Sequence, residues 1–326
     1  MTTHGTTRPS VSVILPTFNR LKYLRSAIAS VFAQTLADWE LVIADDGSER
    51  EIRAYLRGLA SEPRVRVIWL RHSGNPAAVR NCAMRHARGD YLAFLDSDDE
   101  WLPEKLERQL GALQACTGRR WSYTGNIIID ANGEPCAHAA SRVPHRGAIL
   151  ERLLLHQVSI WTPTVVAERG LVLEVGGFDE QLLLFEDYDL WMRLACRSEI
   201  DFVDEPLARI RRFHGQHHGE ADHGDAMRAG RHRALQKVLH LATDPRVQPL
   251  VQRLYAHSAL DQASVRANTD RLAAATILLR GCTASWRYMD WWAGVAYLLL
   301  KLAAPRGLLS VYRRSRLRRR SLSSWS

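Results

Sequence analysis

GDYLAFLDSDDEW, residues 89–101, reads as an apolar strand that stops abruptly at three carboxylates, Asp96, Asp98 and Asp99. Hard oxygen ligands packed this closely repel one another unless a divalent cation sits between them. A cation with free positions can also hold a diphosphate. Taken alone, the segment has two readings, a solvated acidic turn or a metal trap, and its surroundings decide between them.

Upstream, three more apolar runs alternate with helical patterns. VSVIL (11–15) is closed by Pro16 and followed by a helical pattern over 21–34. ELVIADD (40–46) precedes a helix over 50–60, and VRVIWL (65–70) one over 77–87. With YLAFL (91–95) as the fourth run, the alternation predicts a mainly parallel sheet covered on both faces. Ligands of such sheets sit beyond the carboxyl ends of the strands. The polar signals lie there: Pro16-Thr17-Phe18-Asn19, Asp45-Asp46-Gly47-Ser48, and the acidic triplet.

After a helix starting near Pro103 the pattern changes. It predicts strands over 121–129, 162–167 and 206–213, a short helix over 149–156, and a turn at Gly176-Gly177-Phe178-Asp179. Glu186, Asp187 and Asp189 open a helix over 190–196, where acids suit the positive end of the helix dipole. Residues 214–224 read as a His- and Gly-rich loop, and everything beyond Asp225 reads as helix, with no repeat.

The chain has 326 residues, enough for one large core or a catalytic core with an appendage. At 46% hydrophobic and 24% charged it has the composition of a soluble globular protein. Five cysteines without CxxC pairing and the absence of an apolar leader before Val11 point to a reducing cytoplasm. No run reaches the roughly 18 apolar residues of a spanning helix. The formal charge of +9 resembles a nucleic-acid signal, but Arg306, Arg313, Arg314, Arg316, Arg318, Arg319 and Arg320 concentrate much of it at the C-terminal end.

Six motifs in order, VSVILPTFNR (11–20), LVIADDGS (41–48), AVRN (78–81), FLDSDDEW (94–101), GGFDE (176–180) and FEDYDLWMR (185–193), resemble the family 2 glycosyltransferases. The resemblance covers about residues 10–215. It implies an α/β fold of the GT-A type, Rossmann-like, with a mainly parallel sheet flanked by helices and a C-terminal all-helical extension. The expected division is a disordered N-terminus (1–9), a catalytic domain (10–222), a helical region (223–312) and a basic tail (313–326). Ala83 stands where glycine is common. The Q-x-x-R-W signature of processive synthases is absent, so transfer of one sugar is expected rather than polymerisation.

The resemblance also implies roles. Asp46 would recognise the base, with Pro16, Thr17 and Asn19 adding contacts, and Arg80 would hold phosphate or the acidic loop. Asp96 would lie near ribose and metal, and Asp98 would bind Mn²⁺ or Mg²⁺ directly in a DxD-type site. His214 would add a metal or phosphate contact. Asp187 would be the base of an inverting transfer, with Glu186 and Asp189 as rivals, and Glu186 and Trp191 would line the acceptor side. The residues themselves leave other readings open. Asp45-Asp46-Gly47-Ser48 also suits a turn capping a helix, Arg80 a surface position, His214 a solvated loop, the three acids plain dipole partners, and Trp191 the core.

Residues 286–311, WRYMDWWAGVAYLLLKLAAPRGLLSV, are too broken to span a bilayer. They suit a helix in the membrane interface with the arginines on anionic lipid, or else a terminal helix packed on the catalytic domain. The expected function is therefore a metal-dependent, inverting transferase, peripheral on the inner face of the cytoplasmic membrane. It would move one sugar from a nucleotide-sugar, UDP-linked by family frequency, to a cell-envelope, lipid-linked or exopolysaccharide acceptor. The alternatives are an inactive scaffold of the same fold, or a nucleotidyltransferase, against which ILPTFNR lacks a glycine-rich phosphate loop. Nucleic acid is not an expected partner.

Overall fold

The computed structural model describes residues 8–136, 144–213, 224–267 and 270–285, with 292, 295, 296, 298 and 299. The chain divides into two units after Gly230. That point lies inside helix α8 (Gly224–Leu241) and not at the 222/223 loop boundary expected.

The first unit alternates as the apolar runs predict: β1 (Val11–Thr17), α1 (Leu21–Phe32), β2 (Trp39–Asp45), α2 (Arg50–Leu59), β3 (Val65–Trp69), α3 (Pro76–His86) and β4 (Tyr91–Phe94). It continues with β5 (Glu100–Trp101), α4 (Lys105–Ala115), β6 (Arg119–Ile129), α5 (Leu150–Leu154), β7 (Val166–Glu168), α6 (Arg169–Glu174), α7 (Glu186–Ala195) and β8 (Glu199–Arg211). The eight strands form one sheet in the order β3-β2-β1-β4-β7-β6-β8-β5. Pairs β3/β2, β2/β1, β1/β4 and β6/β8 are parallel; β4/β7, β7/β6 and β8/β5 are antiparallel. The GT-A-type α/β fold expected from the motifs is therefore present, with a helical C-terminal part.

Burial explains the helix patterns. In α1 the buried residues are Leu24, Ala27, Ile28 and Val31, one face of a 3.6-residue period packed on the core around Leu15, Leu41 and Ile43. Each buried Leu, Ile or Val side chain contributes about 1.5–3 kcal/mol. Helix α3 starts where Asn75 accepts from the Ala78 N–H and Pro76 occupies the first turn.

Several expectations needed correction. Strand β1 runs through Pro16 instead of ending at it: the even residues face β4, whose pairing stops at Ile14, so no sheet bond is lost at the imide. The strand expected over 162–167 splits into a 3-10 turn, Thr162–Thr164, and the short β7. Strand β8 begins at Glu199, not 206, crossing Pro206 at a register shift against β6. Helix α7 starts at Glu186, so its three acids form the first turn. Strand β5 and helix α6 were not foreseen, being two and six residues long. Arg8 pairs with Asp90 at 3.0 Å and Pro9 is buried, against the disorder expected for 1–9; residues 1–7 lie outside the described residues.

Lys105 is fully buried against the Trp101 ring, its Nζ donating to Gln109 Oε1 at 2.7 Å. Gln109 donates in turn to Ser122 Oγ and the Thr164 carbonyl. Burial holds the Lys105 amine well below the usual lysine range. A depressed lysine leaves the unfolded chain binding more protons, so this contribution to stability is complete above the ordinary lysine pKa and is lost as pH falls toward the folded value. The slope is about 1.4 kcal/mol per pH unit for one proton. Lys105→Met should flatten the rise in stability between neutral and alkaline pH, read from urea midpoints. An unchanged pH dependence would show that the amine is charged in place.

In the second unit, α9 (Gln248–Arg266) and α10 (Arg271–Ser285) pack through small residues, Ala256, Ala263 and Ala274, with Leu278, Val295 and Leu298 completing the core. Among the described residues no helix is long and apolar enough to cross a membrane. The 313–326 tail and most of 286–311 lie outside the described residues.

Candidate active site

The parallel strands deliver their carboxyl ends to one edge. At the end of β1, Asn19 and Arg20 both adopt left-handed backbone, at φ 57° and 59°. The conformation costs about 1–2 kcal/mol per non-glycine residue. It is held by neighbours: the Asn19 N–H donates to Ser48 Oγ at 2.8 Å, and Asn19 Oδ1 accepts from the Glu49 N–H at the start of α2. Buried Thr17 Oγ1 has no hydrogen-bond partner within the described residues. An unsatisfied buried hydroxyl costs about 1–3 kcal/mol, which a ligand could recover.

Asp46, at the end of β2, is buried. Its carboxylate accepts from the Ser73 N–H and hydroxyl and from the Gly74 N–H, with His72 Nδ1 at 3.0 Å. It thus ties the turn after β3 to the edge of β2. Gly47 makes that closeness possible: at φ 79° a Cβ would also lie 2.8 Å from the His72 nitrogen. His72 stacks on half-exposed Phe18, ring centroids 4.0 Å apart.

The acidic triplet is gripped from three sides. Arg80, on α3, is 6% exposed, far from the surface position its type would suggest. It donates to Asp96 Oδ1 at 2.7 Å and to Glu186 Oε1 at 2.9 Å. Burial works against its charge, but Asp96 and Glu186 outweigh it and hold the guanidinium more basic than usual. Arg20 reaches Asp98 Oδ2 at 2.7 Å. Arg211, at the end of β8, donates its N–H to Asp99 Oδ1 at 2.7 Å and its Nε to the Asp98 carbonyl. Burial, then the charges of Asp96 and Asp98, pushes the Asp99 carboxyl well above the usual range. Asp98 is raised by burial and by Asp96, with Arg20 opposing.

A hard divalent cation fits this donor set. Two neighbouring part-exposed carboxylates, Asp96 and Asp98, are the kind of hard oxygen ligand that Mg²⁺ and Mn²⁺ select. Among the described residues no three His, Cys, Asp or Glu groups form a closed cage. Mg²⁺ sites that take their remaining ligands from substrate phosphates need none. His214 lies outside the described residues.

The first turn of α7 separates the three rival acids. Glu186 is engaged by Arg80. Asp189 is fully buried and paired with Arg193, which also donates to the Val175 and Gly177 carbonyls and so pins the glycine turn to α7. Asp187 accepts from the Thr162 hydroxyl at 3.4 Å and the Tyr188 N–H at 2.6 Å. Burial first, then Glu186, pushes its carboxyl up to about 6. Trp191 is fully buried among Phe94, Trp121 and Phe178, so any part at an acceptor site is support from below and not contact.

Sequence reasoning overlooked several neighbours of these groups. Asn81 clamps the Phe178 peptide by donating to its carbonyl and accepting its N–H. Gly177 permits the approach: at φ 67° a Cβ there would lie 2.9 Å from Asn81 Oδ1. Exposed Arg212 lies over the Trp161 ring at 5.1 Å, beside the Thr162 that touches Asp187. The Asp189–Arg193 pair was readable from its four-residue spacing. The others join segments far apart in sequence and carry no local signal.

The sequence model of glycosyl transferase family 2 matches residues 12–127. WfgD of Escherichia coli, a UDP-Glc:α-D-GlcNAc-diphosphoundecaprenol β-1,3-glucosyltransferase, is 30% identical over 194 residues, which are 60% of this chain and 73% of that protein. TuaG of Bacillus subtilis, a glycosyltransferase assigned to teichuronic acid biosynthesis, is 37% identical over 131 residues, 39% of this chain and 51% of that one. Of two rickettsial glycosyltransferases the chain spans about a third, 33% and 32% of their length. Among solved structures, S. aureus TarS 1-349 with UDP-GlcNAc superposes with a TM-score of 0.61 at 18% identity, over 83% of this chain and 79% of that one. The Pyrobaculum calidifontis mannosyltransferase PcManGT, solved with GDP-Man and Mn²⁺, gives 0.53 at 16% identity, over 90% and 86%.

Proposed function

This chain belongs to glycosyltransferase family 2, and from that premise we propose that it moves a single sugar, with inversion, from a UDP-sugar to a hydroxyl of a lipid-linked or other cell-envelope glycan. The observation that carries the reading is the pairing of two carboxylate groups across one buried arginine. Arg80 joins Asp96, at the strand edge, to the first turn of α7, where Asp187 has a carboxyl raised to about 6.

In this reading Pro16, Thr17, Asn19 and the Asp46 turn would receive the nucleoside, the orphaned Thr17 hydroxyl finding its partner there. Asp96 and Asp98 would hold Mn²⁺ or Mg²⁺, which supplies Lewis-acid neutralisation of the leaving diphosphate. Arg80 pairs with Asp96 and orients it, and Arg211 fixes the backbone of the acidic loop. Asp187 would take the acceptor hydroxyl's proton on the face opposite the leaving group, as an inverting displacement requires. Thr162 orients one of its oxygens. Arg212 over Trp161 would meet the acceptor.

Fold neighbours were solved with both UDP and GDP donors, so the fold does not choose the nucleotide; WfgD, nearer in sequence, favours UDP. A lipid-linked acceptor would put the enzyme against the inner face of the cytoplasmic membrane, where the basic C-terminal sequence suits anionic lipid. The test is a calorimetric titration of UDP, GDP and dTDP into the purified chain with and without Mn²⁺, repeated on Asp98→Ala. We expect UDP to bind with Mn²⁺ and the variant to lose at least about tenfold in that affinity. Absence of binding by any nucleotide in either condition would leave a scaffold of the same fold as the better account.

A further inference from the structure

We infer that the outer face of α10 is a docking surface for an anionic lipid bilayer, with Leu272 and Leu279 as the inserted side chains and Arg271 and Arg280 at headgroup level. This rests on the membrane reading above and adds to the basic C-terminal sequence two exposed leucines of α10. Helix α10 carries large apolar side chains on both sides, with exposed Thr276 between the outer leucines. Ala274 and Leu278 face the core of the second unit, whereas Leu272 is 80% and Leu279 68% exposed. Seven residues apart, they share one stripe of the helix. Single exposed leucines are ordinary; two at this spacing, on a helix already buried on its other side, leave an apolar strip that water does not favour. Trp292 and Leu299, again seven apart, are 46% and 54% exposed in the same unit.

Charge selects the occupant. From 271 to 326 the sequence carries eleven lysines and arginines against the single acid Asp290. Since the whole chain is +9, the other 270 residues are close to neutral and the excess belongs to this segment. Arg271 and Arg280 beside the leucines would repel their counterparts in a second copy meeting through this face. A nucleic acid would answer the charge but not the leucines, because its phosphates and base edges are read by polar and aromatic groups. A bilayer with anionic headgroups answers both.

The test is flotation of the full-length protein with vesicles of phosphatidylcholine alone or with phosphatidylglycerol added, for wild type, Leu272→Gln/Leu279→Gln and Arg271→Gln/Arg280→Gln. Wild type should float only with the anionic vesicles. The leucine variant should lose about tenfold or more of its partition, and the arginine variant should lose part of it, more so at low salt. Because both leucines are exposed, circular dichroism and Mn²⁺-dependent UDP binding should be unchanged in the leucine variant. Retained flotation of the leucine variant, or no flotation of wild type with anionic vesicles, overturns the inference. So does a wild-type dimer in light scattering that the leucine variant converts to monomer, which would make the strip a contact between copies. Vesicle binding without nucleotide binding would sink the transferase reading and leave the docking surface standing; the reverse would do the opposite.

Discussion

Asp187→Asn is expected to retain Mn²⁺-dependent UDP binding and lose about a thousandfold in the rate of transfer, within the range for removing a general base. Asparagine matches the carboxylate in shape: its Oδ1 can still accept from the Tyr188 N–H and its amide NH2 can donate to the Thr162 hydroxyl oxygen, so the fold should persist. Neither neighbour can replace the base, since Glu186 is held by Arg80 and Asp189 lies buried on Arg193. The pH profile supplies a second check. Burial and Glu186 raise the carboxyl to about 6, and only its ionised form can take a proton. Wild-type kcat/KM should therefore fall tenfold per pH unit below about 6, and the residual activity of the variant should not. Wild-type rates in Asp187→Asn, or a wild-type profile flat down to pH 4.5, would assign the base elsewhere.

Arg80→Met should be the most damaging substitution to the fold of the site. The guanidinium satisfies Asp96 and Glu186 together, and its removal leaves two carboxylates facing each other beside Asp187. Breaking a buried pair by deleting one partner costs about 3–5 kcal/mol. Asp96 is 28% exposed, so solvent screening argues for the lower end. A drop of several degrees in Tm should accompany an alkaline shift of whatever pH profile remains, because Arg80 is one of the groups holding the Asp187 carboxyl down. Arg80→Lys keeps the charge and should restore part of the pH profile but not the thermal midpoint, since one ammonium cannot reproduce the guanidinium fork that meets both carboxylates. A thermal midpoint like wild type would mean the two ion pairs contribute nothing net.

Much of the fold was legible because its signals are local. Val11, Leu41 and Phe94 belong to apolar runs that can only be buried strands, and the turn chemistry at Asp45-Asp46-Gly47-Ser48 marks where one of them ends. The second half of the sheet was less legible. Strand β7, three residues long, takes its place between β4 and β6 only through antiparallel partners on both sides. Strand β8 continues across Pro206, which sequence reasoning treats as a break.

For the site, residue types and motif order were enough to collect Asp46, Arg80, Asp96, Asp98 and Asp187 as candidates. The resemblance put Asp187 ahead of Glu186 and Asp189, but the residue types alone give no physical ground for that order, since the three sit within four residues on one helix turn with the same chemistry. What separates them is who they meet. Arg80 reaches Glu186 across 106 positions of sequence, Arg193 takes Asp189, and burial raises the carboxyl of Asp187. The sequence by itself determined the sheet, its polar edge and the residue types gathered there, because hydrophobic period and turn chemistry act between near neighbours. Only the tertiary structure decided which carboxylate is neutralised and which has its proton affinity raised, because ion pairing and desolvation depend on distances that chain order does not encode.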